Sequence, residues 1–326
     1  MQPLPVLIDC DPGHDDAVAL LMALAVPEAL EVLGITTVAG NTSVQQATAN
    51  ARRICALAGR PELAVHAGCA QPLVGQHADA SDFHGTSGLD GWPVDAAAPP
   101  PPVEEQHAVD FLIKTLLARA NKTTLVCLAP LTNVATALRR APQIGDRIGE
   151  IVFMGGARRA GGNVTPCATF NVFCDPHAAA VVFKSGLPLT VLSLDASSQV
   201  MVTDADLAQW DAVGSAAVST ASTMMKYFNQ RRIERYGYAH DQTPLNDPCV
   251  IAWLLDRGLF QGMRVNIEVE TESALTKGMT VVDLTGITGR AKNALWLDQA
   301  DGVDVRRMVL DCLRRYPFKP TTSPAA

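Results

Sequence analysis

The sequence lacks several features that would place it in common protein classes. Its 326 residues contain no run of 18 apolar residues and no basic segment ahead of an apolar one, so we expect neither a membrane span nor a signal peptide. Lys and Arg total 26 against 33 Asp and Glu, and the net charge of −7 argues against a nucleic-acid partner, which needs a basic face. The eight cysteines form no CxxC pair and indicate buried free thiols in a reducing cytoplasm.

What the sequence does contain is enough apolar material for a large core. Hydrophobic residues make up 48% of the chain, and strand-like and helix-like segments alternate along most of it. The strands show no clean alternation of polar and apolar residues, which is typical of a sheet covered on both faces. We therefore predict an α/β fold: an open, mostly parallel, Rossmann-like sheet with helices on both faces. No linker or repeat interrupts the pattern, so one domain should span residues 1–326.

The predicted elements set the loops in which a ligand would bind. Strands are predicted at residues 6–8, 32–39, 64–66, 123–128, 150–154, 189–194, 263–270, 279–284 and 293–297. Helices are predicted at residues 15–25, 44–58, 104–119, 132–139, 176–185, 204–235, 247–257 and 302–315. Open sheets of this kind bind ligands beyond the carboxyl ends of their strands. The relevant loops are therefore residues 9–16, 40–41, 129–133, 155–171 and 195–199.

Residues 8–16, IDCDPGHDD, gather four carboxylates between the first strand and the first helix. A dinucleotide-binding fold would carry GxGxxG at this turn, whereas these acids would repel a phosphate. One acid would suffice as a helix cap, but four crowd like charge. Ca²⁺ takes six to eight oxygen ligands, so Asp11 with Asp15 or Asp16 can converge on one ion. His14 is a poor ligand for a hard ion and is interpreted as spacing.

A further acid, Asp247, stands in the segment PLNDPCVIAWLL. It precedes a proline and an apolar helical run, so it suits a helix N-cap. Taken together with the first acidic turn, it is also a plausible third carboxylate of a cation site.

Several motifs, in this order along the chain, resemble the inosine-uridine preferring nucleoside hydrolase family. They are DCDPGHDDAVAL (9–20), AGN (39–41), APLTN (129–133), MGG (154–156), NVTP (163–166), FNV (170–172), NDP (246–248) and GMTVVD (278–283). The resemblance implies an enzyme that cleaves the N-glycosidic bond of a small-molecule ribonucleoside, assembled as a homodimer or homotetramer.

The same resemblance implies a role for each matching residue. Ca²⁺ would be held by Asp11, Asp16, Asp247 and the main-chain carbonyl of Leu128, and Asp11 would deprotonate a Ca²⁺-bound water that attacks C1′. A negative pocket suits the oxocarbenium-like transition state of this reaction. The remaining expected contacts to the nucleoside come from Asp15 and Asn171 at the 2′ and 3′ hydroxyls, Asn41 at the ribose, Met154 and Asn163 toward the 5′ end, and Phe170 along the pocket.

Two positions depart from the family pattern. Thr169 stands where a Glu usually binds the 5′ hydroxyl, and it is shorter and neutral. The site would then bind ordinary nucleosides less tightly or admit a 5′-modified sugar. Asn246 stands where many members have a His that protonates the leaving base, and an Asn can only hydrogen-bond that base. Substitutes for that acid are His84, in FHGTSGL, and His240, with Tyr227, Tyr236 and Tyr238 near it.

Two other interpretations remain open at this point. Asp9-x-Asp11 at a strand end is similar to the motif of haloacid-dehalogenase-type phosphatases, although Gly13 stands where those motifs have Thr or Val. Alternatively, the chain is a nucleoside-binding or weakly active protein on the hydrolase scaffold. The full set of expected metal ligands argues against that second interpretation, because buried oxygen ligands without an ion are costly.

Overall fold

The computed structural model describes residues 2–78, 84–85, 87–92, 104–236 and 242–317. Within them, nine strands form one sheet in the order β10-β9-β11-β6-β5-β4-β1-β2-β3. The pairs from β11 through β6, β5, β4, β1 and β2 to β3 are parallel, and β9 and β10 join antiparallel at one edge. The sheet is therefore open and mostly parallel, which confirms the predicted fold class.

The strands follow one another along the whole chain. Their bounds are β1 Leu4–Cys10, β2 Leu30–Thr37, β3 Val65–Ala67, β4 Thr123–Cys127, β5 Ile148–Met154, β6 Leu189–Leu192, β7 Met201–Thr203, β8 Gln242–Pro244, β9 Phe260–Val269, β10 Thr280–Asp283 and β11 Ala294–Ala300. Strands β7 and β8 form a separate antiparallel pair.

The described helices, numbered in chain order, connect these strands. Their bounds are α1 His14–Leu24, α2 Val44–Leu57, α3 Ala108–Ala118, α4 Thr132–Arg140, α5 Phe170–Cys174, α6 Pro176–Phe183, α7 Leu194–Ser197, α8 Asp204–Asp211, α9 Ala216–Tyr236, α10 Asn246–Leu255 and α11 Gly302–Leu313. Two 3₁₀ turns, Pro142–Arg147 and Arg257–Leu259, complete the set.

Both faces of the sheet are buried under helices. Along β1, Val6 and Ile8 face one hydrophobic core, whereas Leu7 between them faces the other. The first core includes nearly the whole of α1, which is buried on every side, and the second packs under α3, α4 and α6. A strand apolar on both faces is what a doubly covered sheet requires.

The central strands place the acidic turn beside the other expected loops. Strand β1 lies between β2 and β4, and β5 and β6 follow β4. Because these strands are parallel, their carboxyl ends lie along one edge, where the segments after Cys10, Thr37, Cys127, Met154 and Leu192 meet.

Several predicted element bounds are wrong, for local reasons. The helix predicted from residue 104 begins at Ala108, where the His107 side chain caps it. The single helix predicted over 204–235 is two helices, broken at Gly214 with φ of 74°. The strand predicted to residue 194 ends at Leu192, because α7 begins two residues later. The short elements α5, β7 and β8 were not predicted.

Two further findings bear on the composition. The described helices include none that is long and apolar enough to span a bilayer. All eight cysteines are free; six are buried, and Cys69 and Cys167 are partly exposed.

Candidate active site

The acidic turn closes on itself around Asp16. The side chain of Asp16 accepts hydrogen bonds from the backbone N–H groups of Asp11 (3.3 Å) and Gly13 (3.0 Å). Asn41, after β2, donates its backbone N–H to Asp11 Oδ2 at 2.7 Å and its amide to Asp16 Oδ2 at 3.2 Å. The expected ribose residue Asn41 is thus fixed against two of the expected metal ligands.

Close backbone approach explains two glycines of this turn. A Cβ on Gly40 would lie 1.8 Å from Asp11 Oδ2, and a Cβ on Gly13 would lie 2.7 Å from the His84 ring. Neither position has room for a side chain, because a contact under 3.0 Å forces one partner to move. These glycines therefore let Asn41 reach Asp11 and let His84 reach the acidic turn.

Four buried carboxylates converge at the ends of β1 and at the start of α10. One oxygen each of Asp15, Asp16 and Asp247 lies within 4.8 Å of the other two. Asp11 is 1% exposed, and its Oδ1 atom is buried with no hydrogen-bond partner among the described residues. The closest three-acid group therefore contains Asp15, and Asp11 adds a free oxygen from the same turn.

Burial raises the pKa of every member of this group, and repulsion by neighbouring acids adds to it for Asp11, Asp16 and Asp247. Burial, then the charge of Asp15, raises the pKa of Asp16 to about 7. Burial and the neighbouring acids place the pKa values of Asp11 and Asp247 well above their usual range. Burial also raises the pKa of Asp15. Four like charges in a buried site are unfavourable unless a cation balances them.

The donor set fits a divalent cation of the hard type. It offers carboxylate oxygens, with neither thiolate nor imidazole among the converging atoms, which is the ligand class of Ca²⁺ and Mg²⁺. The Oδ1 atom of Asp11 is a buried carboxylate oxygen that no donor of the described residues satisfies. The site is thus a candidate metal centre whose residues Asp11, Asp16 and Asp247 are those expected from the sequence.

One wall of the site is built on Asn171. Its amide donates to the carbonyl of Leu128 at 2.6 Å and to the carbonyl of Met154 at 3.0 Å. Leu128 follows β4, and its backbone N–H donates to Asp9 in β1. The expected metal carbonyl and the expected ribose amide are therefore in direct contact, next to the acidic turn.

The loop after β5 carries the remaining sugar-side residues. Thr169 is 3% exposed, and its hydroxyl accepts the backbone N–H of Gly156 at 2.8 Å. Asn163 is exposed, and its Oδ1 accepts the backbone N–H of Phe170 at 2.8 Å. Phe170 is half-buried at the start of α5. Thr169 is thus held by its own loop, and the Nδ2 group of Asn163 is the donor left for a ligand.

His84 contacts the acidic turn, where it is paired with His14, a residue that was expected to serve as spacing. His14 and His84 place their Nδ1 atoms 2.9 Å apart, and His14 Nε2 lies 2.8 Å from the carbonyl of Asp90. Their rings stack with Phe228, at 5.3 Å from His14 and 5.1 Å from His84. Burial lowers the pKa of His14 to about 4 and that of His84 well below its usual range. Both imidazoles are therefore neutral at pH 7.

Asn246 is committed to other protein groups. Its Oδ1 accepts the hydroxyl of Ser197 at 2.9 Å, and its side chain hydrogen-bonds to Asp15, which lowers the pKa of that acid against the effect of burial. The helix α10 begins at Asn246 with Leu245 as its N-cap, so the sequence expectation of Asp247 as a cap is wrong. Asp247 instead lies in the first turn, facing Asp16.

Several of the candidate acids for the leaving base lie wholly or partly outside the described residues. His240 and Tyr238 lie outside the described residues, as does the side chain of Tyr236. Tyr227 is partly exposed and stacks on His14, with 5.6 Å between the ring centroids. Of the two histidines expected near the base, only His84 falls within the described part of the chain, and it adjoins the acidic turn.

Comparison with known proteins identifies the family of this chain. The family described as inosine-uridine preferring nucleoside hydrolase matches residues 6–309. The chain belongs to this family. This nucleoside hydrolase is similar to the pyrimidine-specific ribonucleoside hydrolase RihA of Salmonella gallinarum, at 39% identity over 96% of this chain and 99% of that one. It is 40% identical to RihA of Salmonella agona, with the same coverage.

Solved structures agree with the nucleoside hydrolase fold. The plant nucleoside hydrolase PpNRh1 superposes with a TM-score of 0.88 at 28% identity, covering 96% of this chain and 99% of its own. A purine-preferring ribonucleoside hydrolase from Gardnerella vaginalis gives 0.87 at 30% identity, covering 95% and 98%. The family resemblance, the fold class and the assignment as a nucleoside hydrolase enzyme are confirmed.

The phosphatase interpretation is wrong. It needs Asp9 as an accessible nucleophile, but Asp9 is 2% exposed. Its Oδ1 accepts hydrogen bonds from Thr36 at 2.6 Å and from Asn133 at 2.8 Å. Asp9 therefore braces the end of β1 beneath the site, and the family match covers this segment.

Proposed function

We propose that this nucleoside hydrolase converts pyrimidine ribonucleosides and water to free base and ribose, with Ca²⁺ bound at the acidic turn. The observation that carries the proposal is the convergence of four buried carboxylates beside the Asn171 wall. The similarity to pyrimidine-specific RihA relatives over nearly the whole chain supports the choice of base. Oxygen-only ligands in an irregular arrangement favour Ca²⁺ over Mg²⁺, which demands octahedral geometry.

Asp11 is proposed both as a ligand of the cation, together with Asp16, Asp247 and the Leu128 carbonyl, and as the general base. Asp11 Oδ2 is fixed by the N–H of Asn41, which leaves Oδ1 free to take a proton from the attacking water. The bound cation supplies positive charge that lowers the pKa of that water. Burial raises the proton affinity of Asp11, which suits a base working near neutral pH.

Asp15 and Asn171 are proposed to hold the ribose diol, with Asn41 along the ring. Asp15 is oriented by Asn246, and Asn171 by the carbonyls of Leu128 and Met154. Ionised carboxylates around C1′ stabilise the positive charge that develops on the sugar as the bond to the base breaks.

His84 is proposed to protonate the leaving base. Its Nδ1 atom accepts the backbone N–H of His14 in the acidic turn at 3.4 Å, and Phe228 gives it an apolar aromatic neighbour suited to a base. Asn246 cannot take this role, because an amide does not release a proton near pH 7 and both ends of its side chain already have partners.

A reducing-sugar assay with purified protein and Ca²⁺ tests the proposed function. The panel contains uridine, cytidine, inosine, adenosine and p-nitrophenyl riboside. Release of ribose from uridine or cytidine supports the proposal, and release from purine nucleosides alone corrects the base. Thermal stabilisation by uridine without ribose release from any compound would make the protein a nucleoside binder.

Hydrolysis of a 5′-modified nucleoside is a second candidate function, favoured by Thr169. Its hydroxyl is bound to Gly156, and its neutral side chain places no carboxylate on this wall. Without a carboxylate acceptor, a 5′ hydroxyl gains less than it would from a charged partner. Turnover of 5′-deoxyuridine or a 5′-thioether at a kcat/KM above that of uridine would establish this candidate.

Calcium is expected to stabilise the fold. We expect the melting temperature to rise on adding Ca²⁺, since binding at a hundredfold excess over Kd contributes about 2.7 kcal/mol. For a chain of this size, that corresponds to roughly 4 °C. Differential scanning calorimetry after chelation and dialysis measures the shift, with Mg²⁺ at equal concentration as the comparison. An unchanged melting temperature with Ca²⁺ would contradict the metal assignment.

The proposal extends to the oligomeric state and the cellular location. We expect a homodimer or homotetramer, and half-exposed Met263 and Val281 on the antiparallel edge, with strongly exposed Ile287 beside them, provide apolar surface for a contact between copies. Light scattering coupled to gel filtration gives the state. The free thiols are consistent with the proposed cytoplasmic location.

A further inference from the structure

Asp195, a buried carboxylate outside the acidic turn, accepts hydrogen bonds from the loop that carries Asn163. Asp195 lies in α7, directly after β6, and is 6% exposed. Its Oδ1 accepts three successive backbone N–H groups, from Arg158 (3.3 Å), Arg159 (2.8 Å) and Ala160 (2.7 Å). Hydrogen bonds to an ionised acceptor are among the strongest in proteins, so this one atom fixes a full turn of the loop.

Residues 155–157, which precede the segment bound by Asp195, each make hydrogen bonds to neighbouring elements. Gly155 donates its N–H to Leu192, and the carbonyl of Gly156 accepts the N–H of Leu194. Ala157 exchanges hydrogen bonds with the hydroxyl of Thr280 through both its N–H and its carbonyl. The hydrogen bonds to Asp195 therefore continue this series of backbone contacts through residues 158–160.

Beyond Ala160, the chain reaches Asn163 through two glycines only. Gly161 has φ of 74°, and glycines lose more conformational freedom on ordering than any other residue. Residues 162–170 are held together by hydrogen bonds of their own: the N–H of Gly162 donates to Pro166, that of Val164 to Ala168, and that of Phe170 to Asn163 Oδ1. Asp195 fixes the segment 158–160, to which Gly161 joins this unit.

The second carboxylate oxygen of Asp195 takes no part in holding the loop. Asp195 Oδ2 is buried and has no hydrogen-bond partner among the described residues. A buried polar atom without a partner is unfavourable, and a purely structural link could have used a shorter neutral side chain. Arg159 adds a second tie, through its guanidinium to Asp298 at 2.5 Å.

We propose that Asp195 is the positioning residue for the 5′ end of the nucleoside, because it fixes residues 158–160 and so presents the free amide of Asn163 to the sugar. This inference rests on the proposed function. Asp195 does not touch the substrate; it acts through the loop. Its removal should therefore penalise a substrate with a 5′ hydroxyl more than one without.

The test compares uridine with 5′-deoxyuridine in Asp195→Ala, Asp195→Asn and wild-type protein with Ca²⁺. For Asp195→Ala we expect kcat/KM on uridine to fall roughly 10- to 100-fold, mainly through KM, because a small misplacement of a binding group has effects of this size. On 5′-deoxyuridine the fall should be at most about threefold, since the contact is absent there. Asp195→Asn keeps an acceptor oxygen and should restore part of the uridine activity.

The matched control is Ser197→Ala, on the same helical turn. Ser197 bonds to Asn246 and has no contact with the loop, so its loss should penalise both substrates equally. Equal penalties for Asp195→Ala would overturn the inference and leave the function intact. If Asp195→Ala does not fold, the same ratio in Asp195→Asn decides. Wild-type protein inactive on both nucleosides would remove the proposed function and this inference together.

Discussion

Asp11→Asn is expected to abolish measurable hydrolysis of uridine while the protein remains folded. The amide has the shape of the carboxylate and keeps an oxygen to accept the N–H of Asn41. It cannot take a proton from water, and general-base catalysis is worth roughly 10²–10⁴-fold. Loss of a charged metal ligand adds to this, so we expect kcat to fall by at least about 10³-fold. The reducing-sugar assay measures it.

The same substitution should have opposite effects on stability with and without calcium. Burial and the charge of Asp16 raise the pKa of Asp11, so an ionised Asp11 destabilises the calcium-free protein at pH 7. We therefore expect Asp11→Asn to raise the melting temperature after chelation and to reduce the increase caused by Ca²⁺. Asp311→Asn, at an exposed position in α11, makes the same chemical change far from the acids and serves as the control. Full activity of Asp11→Asn at low calcium would contradict the mechanism.

The acidic turn was predictable from sequence because its geometry is local. Asp11, Asp15 and Asp16 lie at one strand–helix junction, and two of the hydrogen bonds that orient Asp16 come from within five residues. Parallel strand order then brings residues after β2 and β4 to the same edge. This places Asn41 and Leu128 beside the turn without any knowledge of side-chain packing.

The remaining parts of the site depend on contacts that no local pattern encodes. His14 gains its role from His84, 70 residues away, and the sequence around it gives only an apolar helix. Asp195 meets its loop across 35 to 37 positions, through backbone groups that carry no residue signature. Asn246 was expected to face the base, but its side chain is hydrogen-bonded to Ser197 and Asp15. The signal that the sequence offered for Asp195 was its place directly after a predicted strand, in one of the loops expected to bind a ligand.

His84→Asn is expected to separate substrates by the quality of their leaving group. The Asn side chain can occupy the position of His84 Nδ1 and keep the contact with His14, but it removes Nε2. Loss of a general acid typically costs roughly 10²–10⁴-fold, so kcat on uridine should fall within that range. On p-nitrophenyl riboside, whose leaving group needs no proton, the fall should be under about tenfold. Stopped assays of both substrates with one enzyme preparation provide the internal control.

The hydrogen bonds of His14 also fix the pH dependence of this step. The Asp90 carbonyl can only accept, so His14 Nε2 carries a proton and the Nδ1 atom of a neutral His14 does not. His84 Nδ1 lies 2.9 Å from this Nδ1 and 3.4 Å from the backbone nitrogen of His14. A neutral imidazole is a poor proton donor whichever nitrogen carries its proton, so His84 acts as an acid only when the pair gains one more proton. Burial lowers both histidine pKa values, so this form grows as pH falls.

The ratio of kcat on uridine to kcat on p-nitrophenyl riboside cancels the contribution of Asp11, which both reactions share. It should rise by about tenfold for each unit of decreasing pH between 8 and 6, because the protonated pair stays scarce throughout that range. In His84→Asn the ratio should be independent of pH. A flat ratio in the wild-type protein would show that the proton comes from another group, and His240 would be the next residue to replace.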